Sequence, residues 1–209
     1  MSVPLLALLV GFLQGLLHGV GPDHCAAVAT LGTAARGRRS ALATAVRFAI
    51  GHAVVLGVLA SGCLLLGFGI SETFERWSEI LGGAVLVAVA LTALFFPGAL
   101  AHGHPHLPGH EHHHTHARVS TAAGALMAIS GARSLLLALP PLMVGGAFSL
   151  SAWVYMPGFA LGVLVSMGAV GLLVAEGMSR MNQAIAERLQ RVVAAGSGVV
   201  GLVWIATRL

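Results

Sequence analysis

Residues 18–24 read HGVGPDH, inside the apolar run LLALLVGFLQGLLHGVGPDHCAAVATLGTAA. Two imidazoles and a carboxylate within seven positions are a ligand set for a borderline divalent cation. His18 and His24 offer neutral nitrogens. Asp23 offers an anionic oxygen, either as a direct ligand or as the acceptor that fixes a histidine tautomer. Spacing alone does not bring them together, because six residues carry His24 about 240° around an unbroken helix from His18. The intervening Gly21-Pro22 interrupts the helix, since proline removes a backbone donor and disfavours helix at the residue before it. A break there lets the two rings converge. His52, in RFAIGHAVV, is the candidate fourth donor; taken alone, it could equally be hydrogen-bonded to a neighbouring helix.

A second stretch carries metal chemistry of another kind. HGHPHLPGHEHHHTH, residues 102–116, contains His102, His104, His106, His110, His112, His113, His114 and His116. Its prolines and glycines exclude a regular helix, so a flexible loop is expected. Neutral imidazoles bind late first-row metals with affinity rising toward nickel and copper, so the loop reads as a capture segment.

The elements that must hold these groups are membrane helices. Of 209 residues, 57% are hydrophobic and 9% charged, and mean hydropathy is +0.91. A soluble domain carries about 25% charged residues. All 11 basic residues are arginine and none alternates with aromatic residues, which excludes a nucleic-acid surface. Cys25 and Cys63 lie in apolar stretches and suggest no disulfide; Cys25 reads best as a small buried hydrophobe. No GxxxxGK[ST] phosphate loop and no HExxH zinc-hydrolase motif is present.

At about 20 apolar residues per span, six stretches qualify: 3–31, 43–70, 79–97, 120–147, 152–177 and 191–207. GVGPD breaks the first and LPPLMVGG, with Pro140 and Pro141, breaks the fourth. Arginine sets the orientation. Arg36, Arg38, Arg39, Arg118, Arg180, Arg188 and Arg191 fall in three loops that share one side, the cytoplasm. The histidine-rich loop is then cytoplasmic, and both termini face outward, together with Glu72, Glu75 and Glu79. Glu176 falls at a solvated cytoplasmic helix end. Arg133 lies deeper, where it could pair with Asp23 or hydrogen-bond carbonyls.

The sequence also resembles itself. FAIG at Phe48 matches FALG at Phe159, 111 positions on, and aligning His18 with Ser130 gives 112. The expected fold is therefore all-α: six transmembrane helices as two inverted three-helix repeats, with helices 1 and 4 broken. The first repeat spans residues 1–100 and carries the metal site; 101–118 is the histidine-rich loop; 119–209 is the second repeat. At the positions matching His18, Asp23, His24 and His52, the second half has Ser130, Leu135, Leu136 and Val163, so the chemistry lies in the first.

HGVGPDH fits H-x4-D-H, and with RFAIGHAVV it resembles the signature of the nickel/cobalt transporter family. The whole chain is similar to the short, six-span branch known as urease-accessory membrane proteins, which often carry a histidine-rich loop in mid-chain. The resemblance implies transport of Ni²⁺, or Co²⁺, as substrate across the inner (plasma) membrane, with no organic cofactor. His18, Asp23, His24 and His52 would form the transport site. Uptake for metalloenzyme maturation is the leading expectation, with a cytoplasmic metallochaperone as partner besides the metal ion and lipid. Efflux is the alternative, since the family also has an efflux branch. An intramembrane metallohydrolase is the alternative of another class. The acidic motifs of later spans in longer members are absent.

Overall fold

A computed structural model describes residues 2–35, 37–66, 71–107, 110–115, 117–136 and 149–209; at 97–98, 101–107, 110–115, 117 and 132–136 it describes the backbone alone. Pro4 lies in the first turn of α1 (Val3–Gly19), where its missing N–H costs nothing. The helix ends where the sequence breaks it. Val20 leaves helical geometry, Gly21 donates to the His18 carbonyl at 3.0 Å, and Pro22 opens α2 (Pro22–Ala34). The axis turns by 62° between the two helices.

Helix α3 (Arg38–Leu66) runs 29 residues, about 44 Å at 1.5 Å per residue, more than a bilayer core requires. Helix α4 (Glu72–Phe95) is capped by Ser71, whose hydroxyl accepts from the Phe74 N–H. A single turn, α5 (Pro97–Leu100), leads into the histidine-rich segment, which is more regular than its composition suggests. The strands β1 (Ala101–Leu107) and β2 (His110–Thr115) pair antiparallel, with His102 opposite His114 and His104 opposite His112. Proline and glycine exclude a long helix but not an edge-on-edge hairpin, and Pro105 sits beside the one irregularity in register. His116 lies outside the described residues. Three helices follow: α6 (Ala117–Leu136), α7 (Leu150–Ser179) and α8 (Gln183–Ala206).

Among the described residues, α3, α4, α7 and α8 are each long and apolar enough to cross a membrane, and the bent pair α1–α2 adds a fifth span if taken as one. The chain is thus a multi-pass helical membrane protein. The fourth expected stretch is helical as far as Leu136; its Pro140-Pro141 break lies outside the described residues. Large apolar side chains such as Leu13, Leu17, Val58, Leu173 and Val203 point outward, as lipid-facing groups do.

Lipid tails are as apolar as leucine, so membrane helices associate through close packing of small residues. Three seams here follow that rule. On α1 and α7, a β-carbon at Gly15 would overlap the Phe159 carbonyl, and one at Gly162 the Phe12 carbonyl. On α3 and α6, Gly51 meets the Thr121 carbonyl and Gly124 the Phe48 carbonyl. On α4 and α8, Gly83 and Gly201 lie against each other's carbonyls. The seam residues Phe48 and Phe159 are 111 positions apart, as are Gly51 and Gly162. Their partners Gly15 and Gly124 are 109 apart.

Candidate metal centre

The bend between α1 and α2 brings together what an unbroken helix would separate. His18 occupies the last turn of α1 and His24 the first turn of α2, and their ring centroids are 4.6 Å apart. His52, in the middle of α3, completes a triangle: 5.2 Å from His18 and 4.7 Å from His24. Each ring offers one nitrogen, and these nitrogens all lie within 4.8 Å of one another. His24 and His52 are buried and His18 is half-buried.

Two contacts fix the electronic state of this cluster. The His24 Nδ1 lies 2.8 Å from the Asp23 Oδ1, so Nδ1–H donates to the carboxylate. The proton on Nδ1 leaves a lone pair on His24 Nε2, which is buried with no hydrogen-bond partner among the described residues. A buried acceptor without a donor is costly, and a metal ion would satisfy it. The His18 and His52 Nε2 atoms are 3.1 Å apart, close enough to share one proton. Metal–nitrogen bonds of about 2.1 Å put two ligands at right angles about 3 Å apart, so replacing that proton with a cation needs little movement. Asp23 stands behind His24 as its orienting partner. Its position in the first turn of α2 sets its charge at the positive end of the helix dipole.

The walls are aromatic and backbone. Phe48 stacks on His52 with rings 16° from parallel, and Phe159 lies 5.3 Å from His18. Gly131 of α6 closes the cluster: a β-carbon there would lie 2.9 Å from His18 Cε1 and 3.5 Å from His52 Cε1.

Sequence reasoning missed Glu79. It grouped this residue with exposed loop acids, yet Glu79 is 7% exposed and ion-paired with Arg208. Glu79 lines two spaces at once. One is an open cavity of about 320 Å³ with Glu72, Glu75 and Arg76; the other is a tight cleft with Asp23, Ser130 and Trp204. The signal available was Glu79 three residues before Gly82-Gly83, at the helix seam. At the opposite end, Glu176 pairs with Arg180 at 2.7 Å and approaches Arg38 at 3.9 Å, the solvated surface role expected of it. Cys25 lies 3.5 Å from the Val20 carbonyl, outside the histidine cluster. The Arg133 side chain and those of the eight loop histidines lie outside the described residues.

The chain is similar to a urease accessory protein. It is 32% identical over 125 residues to urease accessory protein UreH of Bacillus sp. (strain TB-90). The matched region covers 59% of this chain and 53% of that relative, so the chain spans about half the length of the curated relative it matches. This supports the resemblance to the urease-accessory branch. No family model matches the chain, and no solved structure matches it.

Proposed function

We propose that the protein is a permease for Ni²⁺, or Co²⁺, in the inner (plasma) membrane, taking the ion up for metalloenzyme maturation. The observation that carries this reading is the largely buried triad of His18, His24 and His52 at a helix break, with the His24 lone pair oriented by Asp23. Three neutral imidazoles with a carboxylate behind one of them suit a late first-row divalent ion. The relative's name ties it to urease, a nickel enzyme, which favours nickel as the cargo.

The ion loses its hydration shell onto His18, His24 and His52, with Asp23 keeping His24 in the ligating tautomer. Unwound backbone at Val20–Gly21 lines this site, in keeping with irregular backbone in membranes occurring only where protein or a cavity surrounds it. The histidine-rich segment 101–118 collects the ion on the cytoplasmic side and passes it to a metallochaperone. Both termini face outward by the arginine distribution. The matched seams, α1 on α7 and α3 on α6, support two inverted repeats over residues 1–100 and 119–209. With no phosphate loop in the sequence, an ion gradient, the membrane potential or a separate partner is left to drive the cycle. Export is the second reading, favoured only by the histidines of the segment 101–118. A metallohydrolase would need a free general base at the metal, and the carboxylate nearest the triad is engaged by His24.

Radioactive Ni²⁺ flux in proteoliposomes of defined orientation tests the reading. The expected result is saturable uptake abolished by His24→Ala. Flux no greater than in protein-free vesicles, under every imposed gradient, overturns it.

A further inference from the structure

One face of α8, with the turn just past its end, borders three spaces among the described residues. Gln190, Ala194, Ser197, Gly201 and Trp204 follow one another in alternating steps of four and three, so they form a single stripe, and Arg208 follows just past the end of the helix. Arg208 lines the open cavity beside Glu79, and Trp204 lines the tight cleft beside Asp23. Gln190 lines a third cavity, of about 310 Å³, at the far end of the helix. α2 runs beside α8 and repeats the pattern. Asp23, Ala27, Thr30 and Ala34 form one buried stripe, with Asp23 in the cleft and Ala34 in the third cavity. The neighbouring face of α2 belongs to α7, where a β-carbon at Gly32 would meet Val174.

Midway along these two stripes stand Thr30 and Ser197, 0% and 2% exposed. Thr30 is seven residues from Asp23 and Ser197 seven from Trp204, so each lies about 10 Å of helical rise below the cleft. Neither hydroxyl has a hydrogen-bond partner among the described residues. That sets them apart, because a buried helical hydroxyl normally returns its proton to a carbonyl one turn back. The buried Thr33, Thr44, Ser78 and Ser166 all do so in this protein, at 2.7 to 3.1 Å. Two unused hydroxyls at matching depth on facing helices are oxygen ligands left for something that passes.

We propose that Thr30 and Ser197 form a way-station for a partly dehydrated divalent cation between the histidine triad and the Gln190 cavity, with the α8 stripe as the wall of the route. The inference rests on the transport reading and adds a path to it. The hydroxyl oxygens replace water ligands that the ion cannot keep between two packed helices. Weak oxygen ligation there lets an ion leave the imidazoles without being held again.

The test is radioactive Ni²⁺ flux in proteoliposomes carrying Thr30→Val with Ser197→Ala, alongside Ni²⁺ calorimetry on the same protein. At saturating Ni²⁺ the flux should fall at least about tenfold, the order expected when hydroxyl partners of a charge are lost. Affinity at the triad should stay within about twofold, since the sites are far enough apart to act independently. Thr30→Ser keeps the hydroxyl in a smaller side chain and should keep the flux. If Thr30→Ser falls as far as the double variant, the position serves packing and the proposal fails. Wild-type flux in the double variant, with wild-type protein active, overturns the way-station and leaves the transport reading intact. No flux from wild-type protein overturns both. Should the double variant not fold, Ser197→Cys with Cys25 and Cys63 replaced by serine gives an independent answer. Its thiol should react with a membrane-impermeant reagent and be protected by Ni²⁺, and an inert thiol overturns the route.

Discussion

Gly131→Ala should damage the candidate metal centre while sparing the fold. The added β-carbon would lie 2.9 Å from His18 Cε1, 3.0 Å from His18 Nε2 and 3.5 Å from His52 Cε1. Carbon atoms rest at about 3.5 to 4.0 Å, so the His18 ring must retreat by about 0.5 Å or more. A metal site tolerates errors of about 0.2 Å in its ligand distances. Misorienting a ligand on this scale typically lowers affinity about 10- to 100-fold. The ring is the far end of a side chain with two free torsions, so it moves without dragging backbone. Gly124→Ala is the matched control. Its β-carbon would overlap the Phe48 carbonyl, a backbone atom at the α3–α6 seam, and overpacking of that kind costs about 1–3 kcal/mol. Calorimetric Ni²⁺ binding to protein lacking residues 102–116, together with thermal unfolding, separates the two. Gly131→Ala should bind weakly and melt near wild type; Gly124→Ala should melt well below it. Wild-type affinity in Gly131→Ala, or equal loss of melting temperature in both variants, would refute the reasoning.

Asp23→Asn preserves shape but allows an amide to donate to His24 Nδ1, moving the imidazole proton to Nε2 and removing its lone pair. Ni²⁺ affinity should drop about 10- to 100-fold by calorimetry, and a change below twofold would mean that the Asp23–His24 bond does not set the tautomer. Protons and metal compete for the same nitrogens, so affinity in loop-deleted protein should fall as pH drops from about 7.5 to 5.5, with more than one proton displaced per ion. His24→Ala should flatten that slope as well as lower the affinity; a pH-independent wild type would show that histidine does not carry the metal. Deleting residues 102–116 should leave flux at high Ni²⁺ and impair it at low Ni²⁺, while complete loss in a folded variant would put the segment inside the conduction path itself.

The local rules read well from sequence because they act over a few residues. Gly21-Pro22 dictates the break in the first span wherever that span is packed, and the break then makes convergence of His18 and His24 geometrically reasonable. The apolar stretches that became α3, α4, α7 and α8 are set by the length of a bilayer crossing. What escaped the sequence depends on which helix lies against which. Glu79 looked like a loop acid because nothing in its own segment announces that Arg208, just past the end of α8, will sit beside it. Gly131 is one of 28 glycines and matters only because α6 crosses the histidines at that residue. Asp23 could be read as ligand or orienter, and its 2.8 Å contact with His24 depends on the geometry at the bend between the helices, which spacing does not quantify. The hairpin at 101–115 was hidden by composition, since histidine, proline and glycine carry little preference for paired strands.

Two of the three glycine seams tie the helices that carry His18 and His52 into two paired blocks. Backbone seated directly on backbone cannot creep; α1 could shift along α7 only by a whole glycine repeat, four residues or about 6 Å. α1 and α7 are thus seamed as one piece, and α3 and α6 as another. His18 rides on the first piece and His52 on the second, yet their Nε2 atoms are 3.1 Å apart across the boundary. Any rocking of one block against the other lengthens that distance at once, before a single side chain turns. On the proposed transport function, an ion held between His18 and His52 would be clasped by the joint itself, and parting the blocks would release it.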